Sequence, residues 1–398
     1  MAKRRRAAAG RARARRSRVA LVCAGGGITG AVWEIGCLRA LEDLLGGRAA
    51  DVDLYVGVSG GAFVASLLAN GISSREMYDA VAFPRRGAFA DPTAVLFRLG
   101  LGEFWRRPLR APRVLVEALF AALGGGGRNL ADVAWSLLEL LPAGLLDNSG
   151  LEQYLARLFA ERGRTNSFAE LPRPLHVIAV DLDSGEAVDF GPGGVAGVPV
   201  SRAVQASTAL PGLYRPVRIG GRDYVDGGVK KTAHINLAIQ GGADLVVCLN
   251  PLVPLDNRAG ALPSHLSTKG MTYVLDQVLR IALHGRMQYG LERYRAEHPE
   301  VDILLLEPGR DDLRMFSYNI MRYDARKVVA AHAYRSTVEA FTAREAEYRR
   351  LLGRHGIALR DPRRLGATPA PSPRGSRVAR SLAGSLDTLS SVLRRKAG

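Results

Sequence analysis

Val19–Ala24 is an unbroken apolar run between Arg18 and three glycines, which predicts a short strand buried on both faces. Over residues 31–45 the apolar positions Val32, Ile35, Leu38, Leu41, Leu44 and Leu45 recur at helical spacing. They stop at Gly46-Gly47, so this segment reads as a helix with a glycine terminator. Leu54–Val58 predicts a second strand, and Ala62–Ala69 a short helix closed by Asn70-Gly71. Strand, helix, strand, helix within the first seventy residues or so points to an α/β fold with a mainly parallel sheet.

The pattern then changes. Pro84, Pro92, Pro108 and Pro112 and the Gly124–Gly127 run separate apolar helical segments near 113–123 and 130–141. Residues 84–150 therefore read as a helical insert. Strands resume at Leu175–Val180 and Ala187–Phe190, around a turn at Asp183-Ser184-Gly185. Pro216–Ile219 and Arg222–Val225 form a hairpin pattern with Gly220-Gly221 at its tip. Leu245–Leu249 and Asp302–Leu306 are further strands, and one long helix is expected from about Ala325 to Leu352. From Pro362 the chain is rich in Pro, Gly, Ser and Arg, as linkers are.

Composition places the chain among globular proteins, with 47% hydrophobic and 23% charged residues. The net charge of +17 belongs to the two ends. Residues 1–18 carry nine Lys or Arg and no acid, and residues 363–398 carry eight basic residues against Asp387 alone. The body between them is near neutral. The N-terminal arm has too little apolar content to order itself, and it serves either as an attractor of anionic surfaces or as a solvated tail. Arg15-Arg16-Ser17 hints at a twin-arginine address, but the apolar stretch that follows is too short for a signal core and has no cleavage pattern. Val378, Leu382, Leu386, Leu389 and Leu393, flanked by arginines, suit a basic amphipathic helix on an anionic membrane or an idle tail. Cys23, Cys37 and Cys248 lie in apolar settings and read as buried thiols of a reducing compartment. The expected location is cytoplasmic, with peripheral contact on the inner face of a membrane as an option; nucleic acid is disfavoured as a partner.

Two glycine-framed motifs follow the first two strands. Gly25-Gly26-Gly27-Ile28-Thr29-Gly30 has the form of a dinucleotide loop, with Asp51 and Asp53 near the distance of a ribose-binding acid. Its physical content is wider: free N–H groups at a helix start stabilise a phosphate or a developing oxyanion. Gly57-Val58-Ser59-Gly60-Gly61 sits between a strand and a helix, the context in which a serine is projected from a strained turn with small neighbours. Ser59 is thus the candidate nucleophile.

A serine needs a base. His176, His234, His265, His284, His298, His332 and His355 carry no distinctive local frame, although His234 and His265 stay open as members of a triad. Asp226 is the better candidate, because it ends the second hairpin strand and precedes Gly227-Gly228, where the backbone can approach closely. An ordinary Asp is a poor base, and burial would make it a better one. An incidental Asp-Gly turn is the plain alternative.

Taken in order, Gly25–Gly30, Gly57–Gly61 and Asp226-Gly227-Gly228 resemble the motifs of the patatin-like phospholipases. Ala206-Ser207-Thr208-Ala209-Leu210-Pro211 resembles the segment that precedes the aspartate in that family. The resemblance covers roughly residues 19–240. It implies a Ser59–Asp226 dyad, an oxyanion hole in the Gly25, Gly26, Gly27 and Gly30 loop, lipid acyl esters as substrates, and no cofactor or metal. Thr29 stands where the family often has Lys or Arg, which bears on preference for phospholipid head groups but not on the backbone donors.

The resulting expectation is a three-layer α/β/α fold with a helical insert and a C-terminal helical extension. Its parts are a basic arm at 1–18, a catalytic domain at 19–240, the rest of the α/β domain and helices at 241–362, and a basic linker at 363–398. The insert reads either as a lid hinged at Gly124–Gly127 or as extra core. The rival readings are a nucleotide-dependent oxidoreductase and a non-catalytic lipid-binding protein.

Overall fold

The computed structural model describes residues 16–47, 52–82, 98–99, 143–258, 265–312, 315 and 325–366. The N-terminal arm up to residue 15, most of the 84–150 insert with its two expected helices, and the tail with its amphipathic segment lie outside the described residues.

The first strand, β1 (Val19–Cys23), runs between two parallel neighbours, β2 (Leu54–Val58) and β10 (Leu245–Leu249). Outside β10 lies β11 (Asp302–Leu306), also parallel, and outside β2 lies β5 (Leu175–Asp181). Alternation along these strands divides the core. Leu21, Cys23, Tyr55 and Val177 point to one face, Ala20, Val22, Leu54 and Val56 to the other, and each face has its own cluster of buried side chains. Strands covered on both faces must be apolar throughout, which is why these runs are continuous in the sequence.

The first face is covered by α1 (Gly27–Leu44), α2 (Gly60–Ala69), α3 (Ser74–Ala82) and α8 (Arg326–Ala343). The second is covered by α6 (Ile235–Gln240) and α7 (Met271–Glu297). The architecture is the expected three-layer α/β/α arrangement around a mostly parallel sheet. None of the described helices is long and apolar enough to cross a membrane. The three cysteines are buried and free.

At the far edge, β6 (Ala187–Asp189), β8 (Val217–Ile219) and β9 (Arg222–Asp226) turn antiparallel. Gly220 and Gly221 both take positive φ (57° and 83°) at the β8–β9 tip, a turn whose twist matches that of the strands it joins. A second sheet of three strands joins β3 (Arg98–Leu99), β4 (Gly144–Asp147) and β7 (Gly212–Tyr214). Residues 144–150, expected as the end of a helical insert, thus form β4 and the start of α4 (Ser149–Phe159).

The long helix expected over 325–352 is two helices, α8 and α9 (Glu345–Arg354). Arg344 leaves helical geometry (φ −118°, ψ 31°), bonds Glu347, and lays its guanidinium over Tyr348. The break brings the rings of Phe341 and Tyr348 within 4.3 Å of each other, both buried.

α1 and α8 cross closely at Gly36. A Cβ there would meet the Ala330 carbonyl oxygen at 2.5 Å and Ala333 Cβ at 2.7 Å. Gly36→Ala would gain about 1 kcal/mol in an isolated helix. Here it is expected to destabilise the protein by roughly 1–3 kcal/mol through overpacking. Thermal denaturation checks this: a melting temperature equal to or above wild type would show that the helices part at no cost.

Candidate active site

Ser59 stands between the end of β2 and the start of α2, and it has φ 54° and ψ −126°, the one non-glycine residue with positive φ among those described. That conformation costs on the order of 1–3 kcal/mol and persists only where the surroundings enforce it. The enforcement is visible in the glycines of the motif. A Cβ at Gly57 would meet Ala62 Cα at 2.5 Å, one at Gly60 the Gly27 carbonyl oxygen at 2.4 Å, and one at Gly61 the Cys23 carbonyl oxygen at 2.3 Å. The elbow is therefore wedged against the end of β1 and the start of α1.

Asp226 reaches Ser59 because β2 and β9 share one edge of β5. β2 pairs along it as far as Ile178, and β9 takes over from Ala179 to Asp181 in the opposite direction. β6 pairs with the same residues Ala179 and Val180 from the other edge. Two strands running towards each other on one edge present their C-terminal ends face to face. Ser59 Oγ donates to Asp226 Oδ2 at 2.5 Å, and Asp226 Oδ1 accepts from Gly228 N–H at 2.8 Å. Gly227 must be glycine there, since a Cβ would meet the Ile178 carbonyl oxygen at 2.3 Å. Burial pushes the Asp226 carboxyl up to about 6, against the opposing pull of the bonds from Ser59 and Gly228. The group is ionised at neutral pH yet far more basic than an ordinary Asp.

The gap between the two strand ends is bridged by Ser207, the last residue of α5 (Val200–Ser207). Its hydroxyl accepts from Ser59 N–H at 2.8 Å and donates to the Ile178 carbonyl at 2.6 Å. Two residues on, the Ala209 carbonyl accepts from Asp226 N–H at 3.0 Å. One short segment thus holds the backbone on both sides of the Ser59–Asp226 contact. Asn148 and Gln205 bond each other beneath it, and Asn148 also reaches Thr208. The sequence marks Ala206–Pro211 only by resemblance; nothing in it pairs Ser207 with Ser59, 148 residues away.

The glycine loop lies beside Ser59, and a Cβ at Gly25 would touch Ser59 Cβ at 3.4 Å. Of the four loop glycines, Gly25 donates its N–H to Thr232 and Gly30 donates its N–H to Gly26 within the helix. Gly25 and Gly30 therefore do not fit the donor role expected of them, because their amides are already committed. They serve close packing instead: a Cβ at Gly30 would strike the Pro251 ring at 2.9 Å. Gly26 and Gly27 stand at the start of α1, and neither α1 nor α2 has a side-chain cap on its first turn. Both helix starts, with their partial positive charge, converge on Ser59.

A cavity of about 360 Å³ opens over this group. Ile28, Val32 and Ile35 of α1, Phe63 and Leu67 of α2, Met77 and Val81 of α3, Leu151 of α4, and Leu279 and Leu283 of α7 line it. No histidine is among its described lining residues. His234 is buried at the N-terminal end of α6, and that burial holds its imidazole down to about 4, so it stays neutral; His265 is exposed. Asp53, weighed as a ribose partner, sits at the opposite end of β2 and accepts from Val19 N–H at 2.9 Å. The sheet separates it from the glycine loop, and Asp51 lies outside the described residues. Among the described residues no group of His, Cys, Asp and Glu is placed to hold a metal ion.

A buried serine–aspartate contact beneath an apolar cavity suits attack on an ester whose acyl part is greasy, and the chain is a lipid acyl hydrolase. Residues 21–239 match the family model described as Patatin-like phospholipase, and the chain belongs to that family. Among solved structures it is similar to VipD from Legionella pneumophila, with 13% identity over 85% of this chain and 79% of that one, at a TM-score of 0.33. It is also similar to human GIVD cytosolic phospholipase A2 in complex with methyl gamma-linolenyl fluorophosphonate, with 15% identity over 96% of this chain and 59% of that one, at a TM-score of 0.26. Membership of the family rests on the sequence match over residues 21–239.

Proposed function

We propose that the chain hydrolyses carboxylic esters of lipids through an acyl-enzyme on Ser59, with Asp226 as its only proton acceptor. The observation that carries this reading is the 2.5 Å bond from Ser59 Oγ to a buried Asp226 at the floor of an apolar cavity. Ser59 Oγ attacks the ester carbonyl as its proton passes to Asp226 Oδ2. The charge that develops on the carbonyl oxygen is met by the Gly26 and Gly27 amides and the starts of α1 and α2. Collapse expels the alcohol, which takes the proton from Asp226. Water then attacks the acyl-enzyme, giving its proton to Asp226, and the fatty acid leaves as Ser59 recovers its hydrogen.

The cavity wall selects an acyl chain, because each buried methylene contributes about 0.8 kcal/mol. A p-nitrophenyl octanoate should exceed the butyrate in kcat/KM by well over tenfold. The reading itself is tested with a fluorophosphonate probe and peptide mapping. Labelling confined to Ser59 is expected; labelling elsewhere, or ester turnover without any labelling, would overturn it.

A further inference from the structure

The helix α7 carries an apolar row on its outer side. Met271, Leu275, Val278, Ala282, Gly285 and Tyr289 follow one another at spacings of four, three, four, three and four residues, which puts them on a single face. Met271 is 74% exposed, Leu275 58%, Val278 55% and Tyr289 71%, with Ile281 beside them at 54%. The opposite face of the same helix buries Leu283, Met287, Leu291 and Tyr294 against the sheet. An apolar surface of this extent on one helix is unusual for a soluble protein and marks a contact surface. No charged side chain interrupts the row, while Lys269 stands just before it and Arg286 on its flank.

What this row faces is indicated by the cavity. Ala282 belongs both to the row and to the cavity wall, and Leu279, next to the row, lines the wall as well. The exposed row therefore joins the wall of the space above Ser59 through Ala282 and Leu279, while Asp276, Arg280 and Arg286 of the same helix also line that wall. A second helix seated in the row would lie across the mouth of the cavity. A lipid surface would instead meet the mouth with acyl chains, and its head groups would meet Lys269, Arg286 and the amphipathic ring of Tyr289.

We propose that the outer face of α7, from Met271 to Tyr289, is a lipid-docking surface that lays the cavity mouth against a phospholipid membrane. The inference rests on the reading of the chain as a hydrolase of lipid esters, and it is tested separately from that reading. The full chain is compared with the Leu275→Gln/Ile281→Gln double variant in flotation with phosphatidylcholine vesicles, with and without phosphatidylglycerol. Neither position lines the cavity, so turnover of soluble p-nitrophenyl butyrate and the melting temperature should match wild type. Vesicle binding and hydrolysis of vesicle lipid should fall at least tenfold, and Ser59→Ala should bind vesicles as wild type does. Unchanged vesicle binding by the double variant would overturn the proposal. So would a wild-type dimer that the double variant converts to monomer, because the row would then be an interface between two copies. Normal vesicle binding by wild type with no ester turnover would refute the hydrolase reading and leave the docking surface standing.

Discussion

Asp226→Asn is expected to lower kcat for ester hydrolysis by roughly 10²–10⁴-fold, the usual weight of a positioned general base. Ser59→Ala should lower it further, by on the order of 10⁴-fold or more. KM should move little in either variant, since the cavity wall is untouched. In wild type, kcat/KM should fall as pH drops through about 6, where the Asp226 carboxyl takes up its proton. Stability should run the other way. The folded carboxyl titrates near 6 and the unfolded one near 3.8, so the fold is favoured while Asp226 is protonated. The cost of the buried charge is absent below pH 4, grows between pH 4 and 6, and reaches about 3 kcal/mol above that. Asp226→Asn should therefore melt above wild type at pH 8, with the gap closing towards pH 4. Kinetics and melts across pH check both limbs; a catalytic profile flat through pH 6 would remove Asp226 as the base.

Ser207→Ala is expected to damage both stability and turnover, although Ser207 touches no substrate. Removing its hydroxyl leaves two buried backbone groups unpaired, the Ser59 N–H and the Ile178 carbonyl. Each costs about 1–3 kcal/mol, so the melting temperature should drop markedly. The strained φ of Ser59 then loses one of its restraints, and kcat should fall by roughly 10–100-fold as the hydroxyl wanders from the attack geometry. A positioning role makes a further demand that a purely structural one does not. The loss should appear in kcat rather than KM, in the fraction of protein still folded, with the pH midpoint unchanged near 6. Full kcat in folded Ser207→Ala protein would show that the glycine frame alone holds the elbow.

Much of the sheet was legible because its strands are buried on both faces and carry continuous apolar runs between glycine stops. β2, β10 and β11 occupy the spans read from the sequence, and the β8–β9 tip lies at Gly220-Gly221 as its composition demands. α7 was not legible as one element. Its outer row and its inner face are both apolar, so no single helical stripe stands out along its 27 residues. The break at Arg344 leaves no mark in the residue pattern for a related reason. Arg344 is a good helix former, and the turn there is set by where Phe341 and Tyr348 find cover.

Ser59 and Asp226 each announce themselves locally, because a strained turn and a closely approached backbone both require glycine neighbours. That much the amino-acid order determined, together with the α/β class and the family. It did not determine that the two meet, since they stand 167 residues apart and pair only because β2 and β9 run head to head along β5. Nor could it say which loop amides are free, that Ser207 bridges the strand ends, or that burial lifts Asp226 to about 6. Those are properties of hydrogen bonding and solvent exclusion between distant segments, and they exist only once the sheet has closed around the site.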